Sequence, residues 1–212
     1  MLSPAYLRTV PLPQDLTNDD IFTALVETES IFTSIRKNAG TNLSEIIQAN
    51  NFSGVVSNVF TKKLGDASIY QPYHDQRYPD LMHKAVPIGL EVKASNKPMK
   101  GGEGHNGHSG WHIVVCYHIL PIGDIEFTHV EIAELNGFGH PDSDWKYCGS
   151  KRNKNDSQRT ETYMTNSIGT AKLRDGSVYL NPEYVNITPH LRHRRKKSSD
   201  LLPIPSFSPF AG

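Results

Sequence analysis

Apolar residues in the first part of the chain recur at helical spacing. Ile21, Leu25, Thr28 and Phe32 share a face, with Ile35 near the end, which predicts an amphipathic helix over 19–37. Thr17 or Asn18 can cap its start, Asp19 and Asp20 suit its positive end, and Gly40 closes it. A short helix over 42–49 follows. A third is predicted over 53–64, where Val55, Val56, Val59, Phe60 and Leu64 share a face and Gly65 marks the end. At Tyr78 the period changes to two. Residues 78–95 read as two strands joined by a turn around His83 to Pro87. Residues 111–120, WHIVVCYHIL, give the strongest strand signal, apolar enough at the centre for burial on both faces. Residues 125–135 and 177–187 predict further strands, and the polar stretch 148–162 predicts a loop or an exposed element. Helices followed by a mainly β centre read as α/β or α+β. We adopt a single α/β domain over 1–212, a central mixed β-sheet flanked by helices.

Composition narrows the class. Apolar residues are 37 % of the chain, enough for a core, and 14 Pro with 16 Gly imply many turns. No apolar run is long enough to cross a membrane. The N-terminus, interrupted by Pro4, Pro11 and Pro13, does not read as a secretory signal. Cys116 and Cys148 form no C-x-x-C pair, so a reducing, cytoplasmic setting is expected. Net charge is zero but unevenly spread. Residues 1–145 hold 10 basic and 17 acidic side chains, whereas 146–212 hold 12 basic and 5 acidic. A basic C-terminal third points to a polyanionic partner.

The chemistry concentrates at Pro79, Asp80, Glu91, Val92 and Lys93. Along a strand, Glu91 and Lys93 point to one face while Leu90, Val92 and Ala94 point to the other. Two charges in an apolar strand are costly unless solvated or paired. Asp80 on the preceding strand can lie beside Glu91, and a divalent cation relieves the repulsion between two carboxylates. Mg2+ prefers such oxygen ligands. Asp80, Glu91 and the Val92 backbone carbonyl form the candidate ligand set. Lys93 is the candidate for orienting an attacking water and offsetting negative charge.

Pro79-Asp80, ten intervening residues and Glu91-Val92-Lys93 resemble the motif of the PD-(D/E)xK nucleases, and the element order over about 19–135 resembles their core. The resemblance implies a restriction-endonuclease-like core and Mg2+-dependent cleavage of double-stranded DNA by a type II restriction enzyme of prokaryotic or phage origin. Two-strand cutting implies a homodimer. Members of the superfamily often add an acidic residue from the first helix. Glu27, Glu29 and Glu45 are candidates, and Glu29 lies one position off the apolar face.

Further candidates would contact DNA. The Gly-rich stretch 97–110 offers Lys97, Lys100, His105 and His108. The cluster 151–162 offers Lys151, Arg152 and Arg159 for phosphates or guanine, and Asn153, Asn155 and Gln158 for adenine. HLRHRRKK at 190–197, with Arg194 and Arg195, suits phosphates, and the Pro- and Ser-rich tail from 198 is open between disorder and packing through Phe207 and Phe210. Two alternatives stand beside the restriction enzyme. One is a structure-specific repair or phage recombination nuclease. The other is a non-catalytic DNA-binding module in which Asp80, Glu91 and Lys93 form a structural ion-pair cluster.

Overall fold

The computed structural model describes residues 2–73, 78–99, 103–104, 107–149, 162–187 and 202–211. Helix α1 spans Asn18–Ala39. Thr17 is its cap: the Thr17 hydroxyl accepts the Asp20 N–H at 3.1 Å and the Asp20 carboxylate accepts the Thr17 N–H at 2.9 Å. That reciprocal pair satisfies two of the donors a helix start leaves open. Gly40, at φ +63°, ends the helix in the left-handed conformation that glycine adopts without a Cβ penalty. Helix α2 (Leu43–Ile46) is shorter than predicted, and α3 (Ala49–Ala67) is longer. Gly65 does not stop α3. A Cβ there would lie 2.7 Å from the Pro72 ring, so the glycine serves a close crossing and the helix runs on for two more residues.

The strands are β1 (Tyr70–Pro72), β2 (Leu81–His83), β3 (Gly89–Ser95), β4 (Glu103–Gly104), β5 (Gly110–Ile119), β6 (Ile125–Leu135), β7 (Trp145–Tyr147), β8 (Tyr163–Thr165) and β9 (Ser177–Leu180), with helix α4 (Ser167–Asp175) before the last. Six of them form one sheet in the order β1-β2-β3-β5-β6-β9. Only β3 and β5 run parallel, so the sheet is mixed. This is the α/β architecture expected, with β5 central and buried. The final strand stops at Leu180 rather than 187, because Asn181 and Pro182 turn the chain: the Asn181 carbonyl accepts the Tyr184 and Val185 N–H groups. A second sheet, β4-β8-β7, and helix α4 go beyond the elements expected from sequence.

The two faces of the main sheet differ in kind. Leu90, Val92, Ile113, Val115, Val130 and Ile132 face α1 and α3 and join Ile21, Leu25, Phe32, Phe52, Val56 and Phe60 in the main core. Burial of this many large apolar side chains is the chief force holding the domain. Strand alternation puts Glu91, Lys93, His112, Val114, Glu131 and His129 on the opposite face. There α4 and the second sheet supply Leu173, Trp145 and Tyr163. The described part of the C-terminal tail, 202–211, packs on the domain: Phe210 is buried with Met99, Leu180 and Val185, and the Ser208 hydroxyl donates to Asp175 at 2.7 Å.

Candidate active site

The site lies where β2 peels away from β3. Their pairing ends at Leu81–Leu90, so among the described residues the β3 edge beyond Leu90 has no strand partner on that side. Asp80, one residue before β2, takes the place of a strand: its Oδ2 accepts the Val92 N–H at 2.8 Å. The carboxylate is thereby fixed against the edge. Glu91 and Lys93 project from the same edge, and the Lys93 ammonium lies 2.5 Å from Glu91 Oε1 and 3.9 Å from Asp80 Oδ2. The sequence expectation that these three side chains converge is met by the geometry.

Exposure and charge say what the group can do. The side chains of Asp80 and Lys93 are 34 % and 32 % exposed, while that of Glu91 is only 14 % exposed. One Glu91 oxygen, Oε2, is buried with no hydrogen-bond partner among the described residues. Burial raises the Asp80 pKa above the ordinary carboxylate range, and repulsion from Glu91 raises it further, against the opposing effects of Lys93 and the Val92 N–H. A carboxylate pair holding an unsatisfied buried oxygen suits a hard cation, so Asp80 and Glu91 fit the Mg2+ ligands inferred from sequence. The Val92 carbonyl accepts the Ser57 hydroxyl at 3.2 Å, which uses one of its two lone pairs and leaves the other. Among the described residues, no group of three or more His, Cys, Asp or Glu side chains is arranged to hold a metal. Water and backbone would complete the coordination, which is ordinary for Mg2+.

Glu29 lies elsewhere. Its Oε1 accepts the Phe127 N–H at 2.7 Å, on the α1 side of the sheet. Phe127 is six residues along β6 from Ala133, which stands in line with Glu91 through His112. That separation is about 20 Å at strand spacing. Glu29 therefore does not join the acidic pair. Its carboxyl is raised to about 7, chiefly by burial, with the Phe127 N–H opposing. A folded pKa above the unfolded value means stability from this group is full below about 4.5 and lost as pH rises through 7. Glu29→Gln keeps the acceptor and removes the charge. It should raise unfolding stability at pH 8 by about 1–2 kcal/mol and leave it nearly unchanged at pH 4.5, read by urea denaturation at both pH values.

Two further residues stand beside the pair that the sequence pattern does not mark as part of the site. His112 is the register neighbour of Glu91 on β5 and is held neutral at pH 7, its pKa pushed down to about 4 mainly by burial. Its Nδ1 lies 2.9 Å from the Gly110 carbonyl, so this nitrogen carries the proton and donates. Tyr78 precedes Pro79, stacks on His108 at 4.0 Å between ring centroids, and donates its hydroxyl to the Ser109 carbonyl. Its pKa is pushed up to about 12 by burial and by the Glu91 and Asp80 charges. Trp145 completes the wall, 5.2 Å from the His112 ring, with its indole N–H donated to the His108 carbonyl at 3.1 Å. The parallel register that brings His112 beside Glu91 has no signature in sequence. The position of Tyr78 next to the Pro-Asp pair was the only available hint.

Of the DNA-contact candidates, His108 sits half-buried in this wall and Lys97 is exposed just past β3. Lys100, His105, Lys151, Arg152, Asn153, Asn155, Gln158, Arg159, Arg194 and Arg195 lie outside the described residues. No helix among the described residues is long and apolar enough to cross a membrane. Comparison with protein-family models, curated proteins and solved structures finds no match.

Proposed function

We propose that this protein is a Mg2+-dependent endonuclease that cuts double-stranded DNA in the manner of a type II restriction enzyme, on a PD-(D/E)xK core. The observation that carries the reading is the Asp80–Glu91 pair at the open edge of β3, with Lys93 in reach of both and Glu91 Oε2 without a partner among the described residues. Asp80, Glu91 and the Val92 carbonyl would hold the ion. Bound there, Mg2+ supplies an acidified water and neutralises charge on the phosphate. The protein's own residues do the rest. The Val92 N–H fixes Asp80, so the ligand geometry is set before the ion arrives. The Lys93 ammonium, in reach of both carboxylates, would hold the attacking water in line and offset charge on the phosphoryl oxygens. Two such sites, one per subunit of a homodimer, would cut both strands.

A second reading has one observation in its favour. The 2.5 Å contact between Lys93 and Glu91 also suits a structural ion pair in a non-catalytic DNA-binding module. Thermal unfolding separates the two. Under the nuclease reading, Mg2+ at ten times its Kd should stabilise the wild type by about 1.4 kcal/mol, a shift of about 3–5 °C. The shift should shrink at low pH, where Asp80 takes up a proton, and disappear in Glu91→Ala, whose metal-free stability should be unchanged or raised. A Glu91→Ala protein that unfolds several degrees early, with no Mg2+ response in the wild type, would support the structural cluster. Defined cut sites would exclude a repair or recombination nuclease; end-directed or structure-directed cutting would support one.

The site also depends on a glycine. A Cβ on Gly89 would lie 2.2 Å from Pro79 Cγ. Gly89→Ala must therefore push Pro79, and with it Asp80, off the β3 edge. The variant should stay folded by circular dichroism and lose about 10- to 100-fold in DNA cleavage, the usual result of displacing a reacting group by about 1 Å.

A further inference from the structure

At the sheet end where the parallel strands β3 and β5 begin, a cleft of about 410 Å3 opens between Pro79, Met82 and Ile88 on one side and Trp111 and Glu134 on the other; Tyr78 and Pro79 link it to Asp80, while Trp111 and Glu134 lie on the sheet face opposite Glu91 and Lys93. The volume falls in the range of small-ligand sites, about 300–1,000 Å3. Trp111 and Glu134 are cross-strand partners in the β5–β6 register, so a carboxylate stands beside an indole. Glu134 is exposed and makes no hydrogen bond or ion pair with any described residue. Tyr78 and Pro79 belong both to this cleft and to the wall of the acidic pair.

We propose that this cleft receives a nucleobase bearing an exocyclic amino group, cytosine, adenine or guanine as against thymine, from the strand held at the acidic pair; the idea rests on the nuclease reading. Apolar and aromatic walls accept the flat base by stacking, as enzymes that extrude a base do. The Glu134 carboxylate repels phosphate, so the backbone stays outside. It can only accept hydrogen bonds, so it selects an edge that presents an amino group. Thymine presents one ring N–H between two carbonyls, and the carboxylate opposes both carbonyls.

Single-stranded homo-oligomers test this without the cost of unpairing a duplex. Fluorescence anisotropy with labelled oligo-deoxycytidine, oligo-deoxyadenosine and oligothymidine, in EDTA, gives the three affinities. The first two should bind about tenfold more tightly than the third, the size of one hydrogen bond to a charged acceptor. Glu134→Gln should abolish the difference and, because the residue is exposed, leave thermal stability unchanged. Equal binding of all three by the wild type, or a preference that survives Glu134→Gln, overturns the proposal. So does a Glu134→Gln variant altered only in oligomeric state by light scattering, which would mark the cleft as a contact between copies. Loss of the pocket with magnesium-dependent cleavage intact leaves the nuclease reading standing. Base preference without any cleavage leaves the pocket and removes that reading.

Discussion

Lys93→Ala is expected to lower DNA cleavage by about 10^2- to 10^3-fold while leaving Mg2+ binding in place. The ammonium is one-third exposed and ligates nothing in the proposed site, so its removal takes away the group proposed to hold water and offset charge and leaves both carboxylates present, Glu91 without its 2.5 Å partner. With its cation neighbour gone, the Asp80 and Glu91 charges repel more strongly, and Mg2+ affinity should hold or rise. Single-turnover cleavage at saturating Mg2+, beside a calorimetric titration of the ion, reads both quantities. A variant that cuts at the wild-type rate would remove Lys93 from the chemistry. One that loses ion binding as well would make it a structural residue.

The largest expected loss of stability belongs to Phe127→Ala, at about 3–5 kcal/mol. Phe127 is fully buried on β6 and meets Phe60 of α3 edge-on, 6.1 Å between ring centroids. Its backbone N–H holds Glu29 of α1. The ring thus sits where both long helices meet the sheet, and a cavity there cannot close without moving one of them. Urea denaturation of wild type and variant, with equal slopes, checks the size of the effect. The acidic pair lies at the far end of the strands, so a variant that is still folded should keep its Mg2+ response.

Local pattern carried much of this protein. Thr17 and Gly40 bound α1 because caps are chemistry of single residues next to a periodic run. The alternation about Val92 placed Glu91 and Lys93 together because strand geometry permits nothing else. What escaped depends on contacts distant in sequence. Gly65 looks like a stop, yet serves the crossing of α3 over Pro72. Gly169 weakens the helical signal of α4, but is needed where that helix meets the Asp144 backbone, 2.5 Å from where a Cβ would stand. The strands β7 and β8 have three residues each, too short for a period to emerge. Glu29 showed its distance from the apolar stripe of α1 but not its distance along the sheet. Only the strand register, with Phe127 six residues from Ala133, separates it from the acidic pair.

Asp80, Glu91 and Lys93 are proposed to hydrolyse DNA with Mg2+. The most direct measurement is digestion of long double-stranded DNA, unmethylated and methylated, by wild type in Mg2+, beside wild type in EDTA and Asp80→Asn in Mg2+. Discrete fragments are expected from the wild type in Mg2+, and intact DNA in both controls. Intact DNA in every lane, with binding still visible as a mobility shift, would contradict this role.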